Sequence, residues 1–326
     1  MKINFFALIL MICCLMSAGC SENDLPSTEF LVLMRDTTAN SASIHQLTVS
    51  NNSLCLLSTP YFSLPDDNYN YDTIVYWDSD KIAVSFPSFD ATVNSDKTVF
   101  WANPTDLFFE DWSLTRNDVT WILSNSDTGY SSELAFDVNG RTYSPICFYV
   151  DTDIHVLCSS LTSADEFSVY VFIFDVDTDT IRTVCCDDSF HKYDISPVMY
   201  PADSFQCNPL ADGFLYNEGA NIYHIDGVSG EMQILFNESM IMNDIPLKDS
   251  YREVYWFFDS ASFCNDHYML SIPAYNELSG WYVALYDSNL IYKGCIYITE
   301  TQIVLYDADN KKISHLEGAF YAYCYL

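Results

Sequence analysis

Residues 168–184 read Ser-Val-Tyr-Val-Phe-Ile-Phe-Asp-Val-Asp-Thr-Asp-Thr-Ile-Arg-Thr-Val: seven strand-favouring positions, a polar break at Asp175 to Asp179, and a second strand-favouring run. Val, Ile, Tyr, Phe and Thr suit a pleated surface, and a short cluster of Asp and Thr between two such runs marks a hairpin turn. The same unit recurs at Ile44 to Ser58 around Asn51-Asn52, at Ala135 to Phe148 around Asn139-Gly140, and at Ile222 to Phe236 around Asp226 to Gly230. Further copies lie at Trp281 to Ile298 around Asp287 to Asn289, at Gln302 to Leu316 around Asp307 to Asn310, and at Thr92 to Trp101 around Ser95-Asp96. No stretch carries apolar residues at helical spacing over a helix's length, so the chain reads as all-β.

Most of the intervals between successive turns fall near 40 to 50 residues, as expected of β-propeller blades of four strands each. The body therefore resembles a β-propeller of six to seven blades. The short last interval leaves a half blade, which an N-terminal strand at Phe30 to Met34 completes, closing the ring. The likeness lies in period and strand-turn character. Neither a WD dipeptide repeat nor a Kelch double glycine occurs, and Asn125-x-Asp127-x-Gly129-x-Ser131 is a single partial likeness to an Asp-box. Tandem β-sandwiches are the alternative architecture. They call for a linker near the middle, and only the looser stretch from Ser189 to Asn208, with Pro197 and Pro201, approaches one. The division expected is a signal over 1–19, a tether over 20–29 and a single domain over 30–326.

The chain has 326 residues, 49% of them apolar, enough for a substantial core. Thirteen Lys and Arg face 45 Asp and Glu, a net charge of −32. Such a surface repels phosphate backbones, so no nucleic-acid partner is expected.

At the N-terminus, Met1-Lys2 is followed by twelve consecutive apolar residues, Phe5 to Met16, then Ser17-Ala18-Gly19-Cys20 and a polar Ser21-Glu22-Asn23-Asp24. Twelve is too short for a membrane span, which needs about 20. The order of positive, apolar and small-residue regions is that of a cleaved export signal. Leu15 to Cys20 resembles the lipobox of bacterial lipoproteins, with Ser17 where that family prefers Leu; Ser17-Ala18-Gly19 serves an ordinary signal peptidase equally well. The resemblance implies that Cys20 is lipidated, becomes the mature N-terminus and holds the protein in the cell envelope. The acidic residues after Cys20 are similar to the signal that sends some Bacteroidetes lipoproteins to the outer surface. Loss of residues 1–19 removes Lys2 and no acid, so the mature charge is −33.

Cys13 and Cys14 leave with the signal. Nine thiols remain besides Cys20, at 55, 147, 158, 185, 186, 207, 264, 295 and 324. An odd number cannot all pair internally, and no C-x-x-C points to zinc or redox chemistry. Most lie in apolar runs, as buried thiols do. The vicinal pair Cys185-Cys186 is expected to point to opposite faces of a strand end.

Asp175-x-Asp177-x-Asp179 opens like a calcium loop, but Thr180 and Cys186 stand where an EF-hand needs Gly and Glu, so a solvated turn is expected, with weak calcium binding at most and no other cofactor. Asp151, Asp153 and His155 are spaced two apart, and on one strand they would share a face suited to a metal or to proton transfer. The plainer expectation is a turn over Asp151 to Asp153 with a strand starting near His155. Asp187-Asp188 with His191, and Asp259 with Asp266-His267, are looser clusters. G-x-S-x-G, H-E-x-x-H, G-x-G-x-x-G and phosphate-loop patterns do not occur. The aromatics Tyr76-Trp77, Trp101, Trp112, Trp121, Tyr255-Trp256 and Trp281-Tyr282 are expected mostly in the core. These features fit a non-enzymatic binding or interaction module of the envelope with a protein or carbohydrate ligand. A carbohydrate-active enzyme with carboxylates at a channel mouth is the alternative, and a purely structural envelope protein is a third reading.

Overall fold

The computed structural model describes residues 25–36, 41–60, 62–64, 73–77, 81–85, 92–93, 98–101, 106–118, 120–163, 166–190, 207–210, 212–218, 221–246, 260–264, 266–274, 280–299, 301–318 and 320–325. The signal, Cys20, His191, the Tyr255-Trp256 pair, Asp259 and the Ser95-Asp96 turn lie outside these residues.

Apart from one helix of seven residues, the regular structure described is β. β1 (Thr28–Asp36), β2 (Ser41–Ser50), β3 (Ser53–Leu56), β4 (Phe62–Leu64) and β7 (Thr92–Val93) share a sheet with the last strand, β29 (Phe320–Tyr325). β5 (Thr73–Trp77), β6 (Lys81–Ser85) and β8 (Thr98–Trp101) form a three-stranded sheet. Next comes a four-stranded meander of β9 (Leu107–Phe109), β10 (Trp112–Asn117), β11 (Thr120–Asn125) and β12 (Ser131–Leu134). A small hairpin, β13 (Asp137–Val138) and β14 (Arg141–Thr142), precedes a second meander of β15 (Ser144–Val150), β16 (Ile154–Ser163), β17 (Glu166–Asp175) and β18 (Thr180–Phe190). β19 (Cys207–Pro209), β20 (Gly213–Glu218), β21 (Asn221–Asp226) and β22 (Met232–Asn237) make a third, followed by helix α1 (Glu238–Asp244). The last sheet runs in chain order through β23 (Ser260–Cys264), β24 (His267–Ala274), β25 (Gly280–Asp287), β26 (Tyr292–Thr299), β27 (Gln302–Asp307) and β28 (Lys312–Glu317).

The β15–β18 and β19–β22 meanders and the last sheet bury both of their faces, and this makes the assembly a propeller. Along β17, Val169, Val171 and Ile173 face the β19–β22 sheet, packing with Phe214 and Ile225, while Phe172 and Phe174 face the β9–β12 sheet, packing with Leu114 and Leu123. Along β25, Tyr282, Ala284 and Tyr286 pack with Leu215 and Phe236, while Val283 and Leu285 pack with Phe30, Leu47 and Val49 of the first sheet. Strands buried on two faces need apolar residues at every position. That is why the 168–174 run is continuous, where a one-sided sheet would alternate. Four successive seams arise in this way, and β1 closes the ring by pairing antiparallel with β29, Phe30 opposite Tyr325 and Val32 opposite Tyr323.

The chain is thus an all-β propeller with six sheets of three or more strands among the described residues. Three of them have four strands. The sheet of β5, β6 and β8 has three, and the first and last have six. The predicted hairpins at 51–52, 175–179, 226–230, 287–289 and 307–310 all form. Two differ. β7 and β8 do not pair with each other but join β4 and β6, so Thr92 to Trp101 is a crossing between sheets. The turn at Asn139-Gly140 serves the two-residue strands β13 and β14, ahead of the blade that begins at β15. The hairpin of β27 and β28 extends the last sheet, and it is β29 that meets β1. β1 begins at Thr28, and Leu25 is already buried.

Candidate functional site

Strands alternate in direction through a meander, so the turns after its first and third strands emerge at one edge. The turn-making residue at that edge is repeatedly an Asp or Asn whose Oδ1 accepts backbone N–H groups two to four residues on, the Asx turn. Asn125 accepts from Asp127 and Thr128 at 3.1 and 2.8 Å, and Asp175 from Asp177 and Thr178 at 2.9 and 3.0 Å. Asp226 accepts from Val228 and Ser229 at 3.0 and 2.6 Å. Asp287 and Asp307 do the same for Asn289 and Ile291, and for Asp309 and Lys311. The partial Asp-box and the calcium-like Asp175 loop are both instances of this turn. Asp175, Asp226, Asp287 and Asp307 thus place acidic turn residues on one edge.

The 226–230 turn reaches across the seam to the preceding sheet. Gly227 lies so close to Tyr149 that a Cβ there would sit 2.1 Å from the phenol oxygen, and Gly230 presses on Val184 and the Cys185 carbonyl. The Gly227 carbonyl accepts from Nδ1 of His155 at 2.9 Å, while Nε2 of His155 lies 3.2 Å from Oδ1 of Asp151. A carbonyl only accepts, so Nδ1 carries a proton. For the contact with the Asp151 carboxylate to be a hydrogen bond, Nε2 must carry one too. The imidazole stacks on Tyr149 with ring centres 4.6 Å apart and planes 7° apart, and Phe214 packs edge-on with Tyr149 at 5.2 Å.

The electrostatics follow from this packing. Burial, then Asp151, Asp226 and Asp212, push the Tyr149 phenol far above its ordinary range, so it stays neutral. Its Oη is buried and has no hydrogen-bond partner among the described residues. Burial pushes Asp151 up, but the Asp153 N–H and the neighbouring His155 more than offset this, and its carboxyl is lowered. Burial likewise raises the thiol of Cys158, and that of Cys295 to about 12. Cys55, Cys147, Cys158, Cys185, Cys186 and Cys295 are all outside disulfides.

Of the sequence-derived metal candidates, Asp151 and His155 meet at the seam, while Asp153 contributes its backbone N–H to Oδ1 of Asp151 at 2.9 Å. Asp151 to Asp153 form the turn and His155 falls in β16. Both ring nitrogens of His155 are occupied by protein contacts, so holding a cation through it would cost one of them. No group of three or more His, Cys, Asp or Glu placed to hold a metal occurs among the described residues. Cys186 packs with Val184 on the face toward β19–β22, whereas Cys185 pairs with Tyr170, whose ring packs on the other face. The vicinal thiols therefore diverge. Trp121 is buried, and Trp112 and Trp281 are half-buried against the cores. Tyr149, Gly227 and Asp212 were not singled out from sequence. A Gly directly after a turn Asp, beside a Tyr two residues before another, was the available signal.

No family model matches the chain, and no curated protein does. Among solved structures it is similar to a chain titled "Crystal Structure of Mitotic Checkpoint Complex", at 11% identity over 64% of this chain and 60% of that one, with a TM-score of 0.35. It is also similar to the AfRom2 CNH domain, at 11% identity over 91% and 89% with a TM-score of 0.34, and to the tricorn protease, at 8% over 89% and 27% with a TM-score of 0.34. The chain spans about 60% of the length of the first. Likenesses this distant add nothing to the fold, which rests on the sheet order and the two-faced burial above, and they carry no function.

Proposed function

We propose that the chain is an exported lipoprotein of a bacterial cell envelope, anchored by acyl chains on Cys20, whose propeller serves as a non-enzymatic interaction module for a protein or carbohydrate ligand. One observation carries this reading: the folded body starts almost at the processing site. Leu25, five residues after Cys20, is buried, and its N–H donates to Oδ1 of Asn52 at 3.0 Å. A lipobox-like signal is thus followed within five residues by the folded propeller. The seam around His155 supports an interaction role over a catalytic one, because its imidazole and phenol are locked against protein groups.

Feeding cells an alkyne-tagged fatty acid tests the anchor. The wild-type protein should take up label and sediment with membranes, and Cys20→Ala should lose both; label retained on Cys20→Ala would overturn the reading. For the ligand, glycan and envelope-protein binding without turnover is expected, and hydrolysis of a bound glycan would overturn it. Calcium should bind only in the range of about 10⁻⁴ to 10⁻³ M or weaker, as for open extracellular sites. Calorimetric titration checks this, and micromolar binding would contradict it.

A further inference from the structure

The short spacer between Cys20 and Leu25 sets how the body is oriented, granted the lipoprotein reading above. Five Cα-to-Cα steps separate the two residues, so an acylated Cys20 can lie at most about 18 Å from Leu25 whatever path the chain takes. Leu25 is not a loose end. Its side chain belongs to the core between the first and last sheets with Val49, Leu54 and Leu305. One of its methyls lies 2.7 Å from where a Cβ on Gly294 would be, beside the Tyr306 carbonyl and Asp307, so only glycine leaves it room.

These contacts place Leu25 at one particular edge of the ring. β1 starts beside the end of β2, next to the Asn51-Asn52 turn. Gly294 lies opposite Asp307, where β27 ends and the Asx turn to β28 starts. The edge from which the tether leaves is therefore the edge that carries the Asx turns. The opposite edge, where the β26 to β27 turn lies at Thr299 to Gln302, is farther from Leu25 by the length of β27, six residues or about 17 Å.

We infer that the Asx-turn edge of the propeller faces the lipid bilayer, held within reach of its head groups, and that the edge bearing the Thr299 to Gln302 turn points away and is the face open to partners.

The two ends of β27 give the test. A small fluorophore is placed at Asp309 or at Thr301 by an encoded keto amino acid, both positions being exposed. The acylated protein is then reconstituted in vesicles of neutral phosphatidylcholine containing a headgroup nitroxide lipid. The dye at 309 should lose most of its emission and the dye at 301 little. Twenty Gly/Ser residues inserted after Asp24 should abolish the loss at 309, because such a spacer spans roughly 25 Å on average. Unfolding midpoints of the two labelled proteins, matched to wild type, show that the dye has not opened the sheet. If mass spectrometry finds no acyl chain on Cys20 and the protein stays off vesicles, the lipoprotein reading itself fails. If the protein is acylated and vesicle-bound but both dyes are quenched equally, or 301 more than 309, the orientation alone is overturned.

Discussion

Gly227 and Tyr149 form a contact with almost no slack, and opposite consequences follow for changes on its two sides. Adding a methyl group at Gly227 drives it into a phenol oxygen held in place by Phe214 and His155, so Gly227→Ala should destabilise by about 1 to 3 kcal/mol, the usual range for overpacking. Tyr149→Phe removes a buried hydroxyl that has no hydrogen-bond partner among the described residues and should be neutral or stabilising. Combined with Gly227→Ala, it should recover part of that loss. Urea midpoints at constant m-value would show this, and a Tyr149→Phe variant clearly less stable than wild type would contradict it. Asp151 supplies a pH dependence. Its folded carboxyl titrates below the ordinary 3.8, so its ionised form stabilises the fold above that pH, and this contribution disappears as pH falls through the lower, folded value. The gap between wild type and Asp151→Asn should therefore narrow as pH falls below 3.8. The pair Asp151 and His155 was visible in sequence from spacing alone. Its true partner, the Gly227 carbonyl 72 residues away, was not, because a contact across two sheets leaves no periodic trace.

The turns were the most legible elements, since an Asp or Asn at a strand end writes its own hydrogen bonds into the next few residues. Asn51-Asn52 and Asn139-Gly140 have positive φ at both central positions, the twist a two-residue hairpin needs, and both were readable for that reason. Which turns belong to one blade was not readable. Residue counts place 287 and 307 as separate units, yet one six-stranded sheet contains both. The hairpins of β9 to β12 were passed over because Trp112 to Asn117 is too polar to stand out. If Oδ1 as an acceptor is what matters, Asp226→Asn should be nearly silent, as Asn125 does the same work in its own turn. Asp226→Ala should cost roughly 1 kcal/mol, toward the low end because the turn is open to water. Thermal unfolding of the two variants decides this, and equal losses would show that charge governs. Within the β17 strand, Phe172 is buried edge-on to Phe136 at 5.1 Å, so Phe172→Ala should cost about 3 to 5 kcal/mol, many times the cost at any turn.

At the scale of the whole molecule, the proposed lipoprotein form, without residues 1–19, carries 12 Lys and Arg against 45 Asp and Glu, a net charge of −33, and this charge and its short tether act against each other. In the proposed orientation the tether holds the Asx-turn edge toward the head groups; that edge carries Asp287, Asp307 and Asp309, with Asp307 and Leu25 both against Gly294, and Glu22 and Asp24 belong to the tether sequence. Against a neutral bilayer nothing opposes close approach. Against an anionic one the carboxylates are repelled, over a range of about 10 Å at 0.1 M salt and about 30 Å at 0.01 M. The longer range exceeds the tether's reach of about 18 Å, and the shorter one does not. Lipid charge should therefore change the height of the body only at low salt. In vesicles with one third phosphatidylglycerol (on the order of the anionic content that gives tens of millivolts at the surface), nitroxide quenching of a dye at Asp309 should weaken as salt is lowered. In phosphatidylcholine vesicles it should stay constant. Millimolar magnesium should restore the quenching by screening both surfaces. A salt response identical on the two lipids would mean that the acidic edge does not face the membrane. The same experiment with the dye at Thr301 should be flat throughout, because that end of β27 already stands beyond the reach of the quencher.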